Sequence, residues 1–282
     1  MSQYEDIRYE VDGGIATITL DRPDKLNAWT RAMQQSVASA MAEAAADPAV
    51  RVILITGAGR GFCAGADMSL LQGLDADNAG EATSGGAATP VEAGGTAPGP
   101  DISRDYGGRF GYILRCPKPV IAAVNGPAAG LGLVVSLYAD VRFAAQEAVF
   151  TTAFAQRGLV AEHGVSWLLP RLVGPAHAFD LLLSARKVKA DEAERIGLVN
   201  QVFPQEGFMD FVRAYASHLV ETVSPRSMAV MKAQIYKALH QDFNAALETA
   251  DAEMEASFAS DDFREGVAHF MEKRAPDFKG LG

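Results

Sequence analysis

The run IRYEVDGGIATITL (7–20) sets two stretches rich in β-formers on either side of Asp12-Gly13-Gly14 and predicts a hairpin. VRVILITG (50–57) and KPVIAAVNG (118–126) are short apolar runs closed by glycine, the pattern of strands buried on both faces. ADVRFAA (139–145) and AVFTT (148–152) are weaker strand candidates. Between them the pattern turns helical. Thr30 is placed to cap a helix over 31–46 that Asp47-Pro48 ends, and further helices are predicted over 104–114, 130–139, 164–173 and 175–184. Strands alternating with helices predict an α/β sheet closed by crossovers.

Beyond about residue 205 the pattern is helical throughout. FMDFVRAYASHLVETV (208–223) and SPRSMAVMKAQIYKALH (224–240) are amphipathic, with Ser224 as a cap and Pro225 in the first turn. NAALETADAEMEASFAS (244–260) and DDFREGVAHFMEKR (261–274) follow. The reading is a core over 1–204 and a helical region over 205–282 that packs on a neighbouring subunit. One segment fits neither pattern. Residues 73–100 lack aromatics and consist mainly of Gly, Ala, Pro and small polar residues, too little apolar surface to offset ordering entropy. They read as a flexible surface insertion within the core, with a lid as the alternative.

Composition narrows the function. The 282 residues are 49% hydrophobic and carry a net charge of −10, which argues against a nucleic-acid groove. Two cysteines make a disulfide framework unlikely, and a start without a basic end or apolar run is not a signal peptide, so the expected location is cytoplasmic. The longest apolar candidate, LGLVVSLYADVRF (131–143), is broken by Asp140 and Arg142 and falls short of the ~20 residues of a membrane span. No His, Cys or carboxylate cluster has metal-ligand spacing, and no metal is expected.

The candidate chemistry lies in two turns. GAGRGFCAGADM (57–68) follows one buried strand, and its small residues let a ligand approach backbone N–H groups. An ordinary glycine-rich connection fits the same pattern, but a phosphate loop does not, because no Lys-Ser or Lys-Thr follows the glycines. PVIAAVNGPAAGLGLVVSLYAD (119–140) repeats the device. If the two strands are neighbours, the turns lie side by side, and one amide from each makes an oxyanion hole.

These segments, with LDRPDKLNAW (20–29), LPRLVGPAHAFDLLLSARKVKADEAERIGLVNQVF (169–203) and EGVAHFMEKRAPDFKG (265–280), resemble the enoyl-CoA hydratase/isomerase (crotonase) superfamily over nearly the whole chain except 73–100. The resemblance implies a spiral of ββα turns with a helical tail, assembled as a homotrimer or a dimer of trimers. It implies an acyl-CoA thioester as substrate, coenzyme A being part of that substrate rather than a separate cofactor. By position, the amides of Ala66 and Leu131 would grip the thioester oxygen, although the family usually has glycine where this chain has Leu131. Lys25, Leu26, Ala28, Ala64, Asp67, Met68 and Gly130 match positions around coenzyme A, and Phe270 and Lys273 match tail residues that reach it, in some members across a subunit boundary.

The departures from the family pattern bear on the reaction. Hydratases of the family carry two glutamates where this chain has Val134 and Phe154. Water addition needs a base for water and an acid for carbon, and neither side chain can move a proton. In GLVAEHGVSWLLP (158–170), Glu162 matches a carboxylate found in several family isomerases, including dienoyl-CoA isomerase and the epoxide isomerase of phenylacetate breakdown. The expectation is enolate chemistry with Glu162 as proton carrier: double-bond isomerisation ahead of hydration, in fatty-acid or aromatic-acid metabolism. His163 is the second catalytic candidate, although orienting or capping its neighbours is the better-supported role. Alternatives are a non-catalytic acyl-CoA-binding protein, a thioester hydrolase or a carbon–carbon lyase of the same fold. Asp140 is expected to brace a strand start, Cys63 to be inert, and Trp167 with the leucines after it to join the core.

Overall fold

The computed structural model describes residues 4–68 and 97–281. The insertion expected at 73–100 therefore lies, except for 97–100, outside the described residues. The chain opens with the predicted hairpin, β1 (Ile7–Asp12) and β2 (Ile15–Leu20), paired antiparallel from Ile7 opposite Leu20 to Asp12 opposite Ile15. Next come α1 (Arg31–Ala46), capped by the Thr30 side chain, and β3 (Val52–Gly57). After α2 (Gly111–Arg115) follow β4 (Val120–Val124), β5 (Ala128–Ala129), α3 (Leu131–Tyr138), β6 (Val141–Ala145) and β7 (Val149–Thr151). The core continues through α4 (Val165–Ser184), β8 (Val188–Lys189), α5 (Ala190–Arg195) and β9 (Gln201–Phe203). Four helices end the chain: α6 (Phe208–Thr222), α7 (Pro225–Ala238), α8 (Phe243–Phe258) and α9 (Asp261–Glu272).

The large sheet runs β1-β2-β3-β4-β6-β9, parallel from β2 onward, and a small sheet runs β5-β7-β8. Isolated bridges extend the small layer, joining Trp29 to Ala66 and Cys63 to Ala128. Each turn of the chain thus lays one strand in the large sheet, passes through the small layer and returns by a helix. This is the expected α/β spiral of ββα units. The apolar strand runs are explained by cover on both faces. Ile18, Ile53, Ile55, Ala122 and Val124 pack under the first helices, while Ile15, Val52, Leu54, Ile121 and Phe143 pack against Phe208, Val212 and Ala216 of α6.

Two expectations need correction. The helix predicted over 104–114 shrinks to α2, because Gly107-Gly108 interrupts it and Gly108 sits at φ +75°. Trp167 is only half-buried at the rim, stacked on His240 with Arg171 over its other face, whereas Leu168 and Leu169 are core. Helices 164–173 and 175–184 are present as α4 with a break at Gly174, and β5, β8, α5 and β9 are additional elements.

Asp140 braces β4 as expected. One carboxylate oxygen accepts from the Val120 amide at 2.7 Å and pairs with Lys232 at 2.7 Å, and the other accepts from the Tyr236 hydroxyl. Lys232 and Tyr236 belong to α7, so this buried cluster ties the C-terminal helices to the core sheet. Among the described residues no helix is long and apolar enough to cross a membrane.

Candidate functional site

β3 and β4 are parallel neighbours, with Thr56 opposite Ala123, so both turns leave the same sheet edge side by side. Two buried asparagines hold them there. Asn125 Nδ2 donates to the Gly57 and Gly59 carbonyls at 2.9 and 3.0 Å, and Asn27 Nδ2 donates to Ala58 and Gly61 at 3.0 and 2.8 Å. The sequence reading missed Asn27. Its only signal was a polar residue inside an otherwise fold-forming stretch.

Main-chain bonds set the direction of the Ala66 amide. Trp29 N–H donates to Gly65 O at 2.7 Å, and Asp67 N–H donates to Trp29 O at 2.9 Å. In a parallel bridge of this kind the intervening residue turns its own N–H to the opposite side. Gly65, one residue earlier, lies against the second turn: a β-carbon on it would be 3.0 Å from Ala129 O. The Leu131 amide opens α3, where helix geometry leaves it without an intrahelical acceptor. Neither amide donates to a main-chain carbonyl among the described residues. Behind them Gly132 packs so tightly on the Cys63 carbonyl that any side chain would collide with it. Cys63 is fully buried, and burial pushes its thiol up to about 12, as expected of an inert cysteine.

The surroundings of the two turns are apolar. Val134 is fully buried, Phe154 is 5% exposed and Leu131 is 6% exposed. Beside them the segment 154–164 turns through a 3-10 helix (Ala155–Arg157) and left-handed residues at Gly158, His163 and Gly164 before α4 begins. The N-cap of α4 is Gly164, with no side-chain cap, so Glu162 does not cap this helix. Burial raises the Glu162 carboxyl above its ordinary value, and the nearby Arg109 charge opposes that rise. His163 Nε2 lies 3.5 Å from Glu162 Oε2. Burial, assisted by Arg109, lowers the imidazole to about 4, so at neutral pH this is a neutral ring beside a carboxylate. The ring packs edge-on against Phe110, and the His163 carbonyl accepts from the Tyr138 hydroxyl at 2.8 Å. His163 is thus held in one orientation.

Arg109 is a site residue that the sequence reading missed, hidden inside the over-long helix predicted there. Its Nε donates to Gln34 Oε1 at 2.8 Å, and the same oxygen accepts from Trp29 Nε1 at 3.0 Å. One glutamine of α1 therefore links the arginine to the strand segment that fixes Ala66.

Most positions matched to coenzyme A come together. Ala64 N–H donates to Leu26 O at 2.9 Å, and Arg22 bridges Asp67 Oδ2 (2.9 Å) and Ala28 O (2.6 Å). Lys25 and Met68 are exposed beside them, and Gly130 is half-buried at the start of α3. Phe270 and Lys273 are different. They stand exposed on α9, which packs on α8. The tail that follows is fastened near the start of β3, where Arg51 donates to the Phe278 carbonyl, whereas residues 58–66 follow the end of that strand. Six strand residues, about 20 Å, separate the two ends. Among the described residues no group of three or more His, Cys, Asp or Glu is placed to hold a metal ion.

The sequence was then compared with known proteins. The family model described as enoyl-CoA hydratase/isomerase matches residues 10–91 and 83–281. A Rhodobacter capsulatus protein named "Probable enoyl-CoA hydratase" is 39% identical, over 98% of this chain and 99% of that protein. The 1,2-epoxyphenylacetyl-CoA isomerase of Escherichia coli K12 is 34% identical, over 98% and 99%. The crystal structure of an enoyl-CoA hydratase from Bacillus anthracis superimposes with a TM-score of 0.86 at 26% identity, covering 98% of this chain and all of that one.

Proposed function

The chain belongs to the enoyl-CoA hydratase/isomerase family, and on that premise we propose that it moves a double bond along an enoyl-CoA through a thioester enolate. The observation that carries this reading is the pairing of Glu162 with the apolar side chains of Val134 and Phe154. In it, the amides of Ala66 and Leu131 receive the thioester oxygen. Ionised Glu162 takes a proton from the α-carbon of a 3-enoyl thioester. The electron pair spreads onto that oxygen, where two preorganised donors stabilise it, and Glu162 returns the proton to the γ-carbon. The 2-enoyl thioester leaves with no net change in atoms. A half-buried carboxyl with a raised pKa suits a proton that must be both taken and given back. Neutral His163 supports Glu162 as a positioning group. Coenzyme A enters and leaves with the substrate, and the step needs no resident cofactor.

Hydration is the second reading, favoured by relatives whose names say hydratase. It would have to proceed with Glu162 as sole acid and base. Incubating a 3-enoyl-CoA with the protein in deuterated water separates the two. Deuterium at the α- and γ-carbons of a 2-enoyl product supports isomerisation. A hydroxyacyl product supports hydration, and tight binding without exchange or product leaves only sequestration. Replacing Glu162 with Gln is expected to lower the exchange rate by about 10²–10⁴; an undiminished rate removes Glu162 from the mechanism.

The reading extends to a homotrimer, or a pair of trimers, held through the C-terminal helices. No residue of α8 or α9 is buried in the single chain. Yet Met231 and Ile235 of α7 with Leu239 at its C-cap, Leu247, Met254 and Phe258 of α8, and Phe263, Val267 and Phe270 of α9 form exposed apolar rows at helical spacing. In such an assembly Phe270 and Lys273 would serve a neighbour's coenzyme A.

A further inference from the structure

We propose that Arg109 and Tyr112, organised by Gln34, form a subsite that binds an acceptor oxygen on the acyl chain beyond the thioester, as in a carboxylate, carbonyl or hydroxyl group. The inference rests on the acyl-CoA reading above and adds the class of acyl group.

Arg109 spends Nε on Gln34, while Gln34 Nε2 reaches back to the Arg109 carbonyl at 3.5 Å. The guanidinium lies 5.4 Å from the Phe110 ring centroid. Phe110 is fully buried and packs on Trp29, Tyr138 and the His163 ring, so the backbone carrying Arg109 is fixed against the proposed proton-transfer groups. Neither terminal nitrogen of Arg109 has a hydrogen-bond or ion-pair partner among the described residues. The arginine is clamped on one side with its two-pronged end unspent, the geometry that suits a planar oxygen group.

Tyr112 supplies the second observation. Its side chain is buried, and its hydroxyl, close to the Gln34 side chain, makes no hydrogen bond of full geometry among the described residues. It neighbours Gln34 and feels the Arg109 charge. A buried hydroxyl without a well-formed hydrogen bond carries an unrecovered desolvation cost that a ligand's acceptor oxygen would offset. A buried phenol and a guanidinium with unspent terminal donors, both beside one glutamine, are complementary to an oxygen acceptor. Glu162 lies within electrostatic reach of the same guanidinium but forms no ion pair with it among the described residues.

The test uses saturated thioesters that cannot react, so it does not depend on turnover. Binding of three six-carbon acyl-CoA esters, ending in methyl, in a ketone and in carboxylate, is measured by calorimetry on the full chain. The wild type is expected to bind the oxygen-bearing ligands about ten- to a hundredfold more tightly than the methyl-ended one, the carboxylate most tightly. Arg109→Gln is expected to bring the carboxylate-ended ligand down to the affinity of the methyl-ended one, and Tyr112→Phe to remove part of the preference. Equal affinity for all three ligands in the wild type overturns the proposal, and so does a loss of the same size for all three in Arg109→Gln. The wild-type comparison decides even if the variants misfold. Oxygen preference without deuterium exchange in the enoyl assay keeps the subsite and sinks the isomerase reading; exchange without preference does the reverse.

Discussion

At the scale of single residues, His163 links the site to stability. Its imidazole titrates at about 4 in the folded chain against 6.5 for a free histidine, with burial as the main cause and Arg109 second. Below 6.5 the unfolded chain therefore binds the extra proton first. The contribution of the neutral ring is fully present above 6.5 and is lost as pH falls towards 4, to the extent of about 3 kcal/mol for a shift of this size. Glu162 acts with the opposite sign, because its raised pKa favours the folded state at low pH. Urea unfolding between pH 4 and 7 should show stability rising with pH, and His163→Phe should flatten the rise; an identical slope in the variant would refute the assignment. The chemistry of this neighbourhood was only half readable from sequence. Glu162 stood out as a charge between apolar runs, and Val134 and Phe154 as apolar residues in acidic positions. Arg109 gave no such sign, because its meaning comes from Gln34, 75 positions away, and from a loop mistaken for helix.

At the scale of elements, the seam between the two turns is the sensitive point. Gly132 of α3 meets the Cys63 carbonyl directly, so Gly132→Ala must either lift α3 or push back the 62–66 turn. Overpacking of this kind costs about 1–3 kcal/mol. Displacing one donor should lower the exchange rate by about 10²–10³ while circular dichroism stays native. A rate within twofold of wild type would show that the turn spacing does not matter. The adjacency of the turns was legible in part. Both follow apolar strands that end in glycine or asparagine-glycine, but only the pairing of β3 with β4 puts them side by side. Short elements were not legible: β5 and β8 have two residues each, too few for any period to register.

For the whole molecule, the unburied helices at the C-terminus are the feature to explain. Isolated helices of this length are marginal in water, and no residue of α8 or α9 is fully buried by its own chain. Sedimentation at micromolar concentration is expected to give three copies, about 90 kDa, or six, from a chain of 29.9 kDa. Leu247→Asp combined with Phe258→Asp should release monomers and weaken acyl-CoA binding. A wild-type monomer would refute the trimer and, with it, the placing of Phe270 and Lys273 on a neighbour's ligand. The sequence announced these helices clearly through capping and amphipathic spacing. It did not announce where they sit, because most of their apolar rows stay exposed on the single chain.

The bare contact of Gly132 on the Cys63 carbonyl also bears on how such a protein changes over generations. No side chain occupies that seam, so a substitution in the lining does not by itself enter the contact that spaces the two turns. Val134, Phe154 and Glu162 are not part of that contact. On the acyl-CoA reading proposed above, the reaction can therefore change with the lining while the two turns keep their spacing.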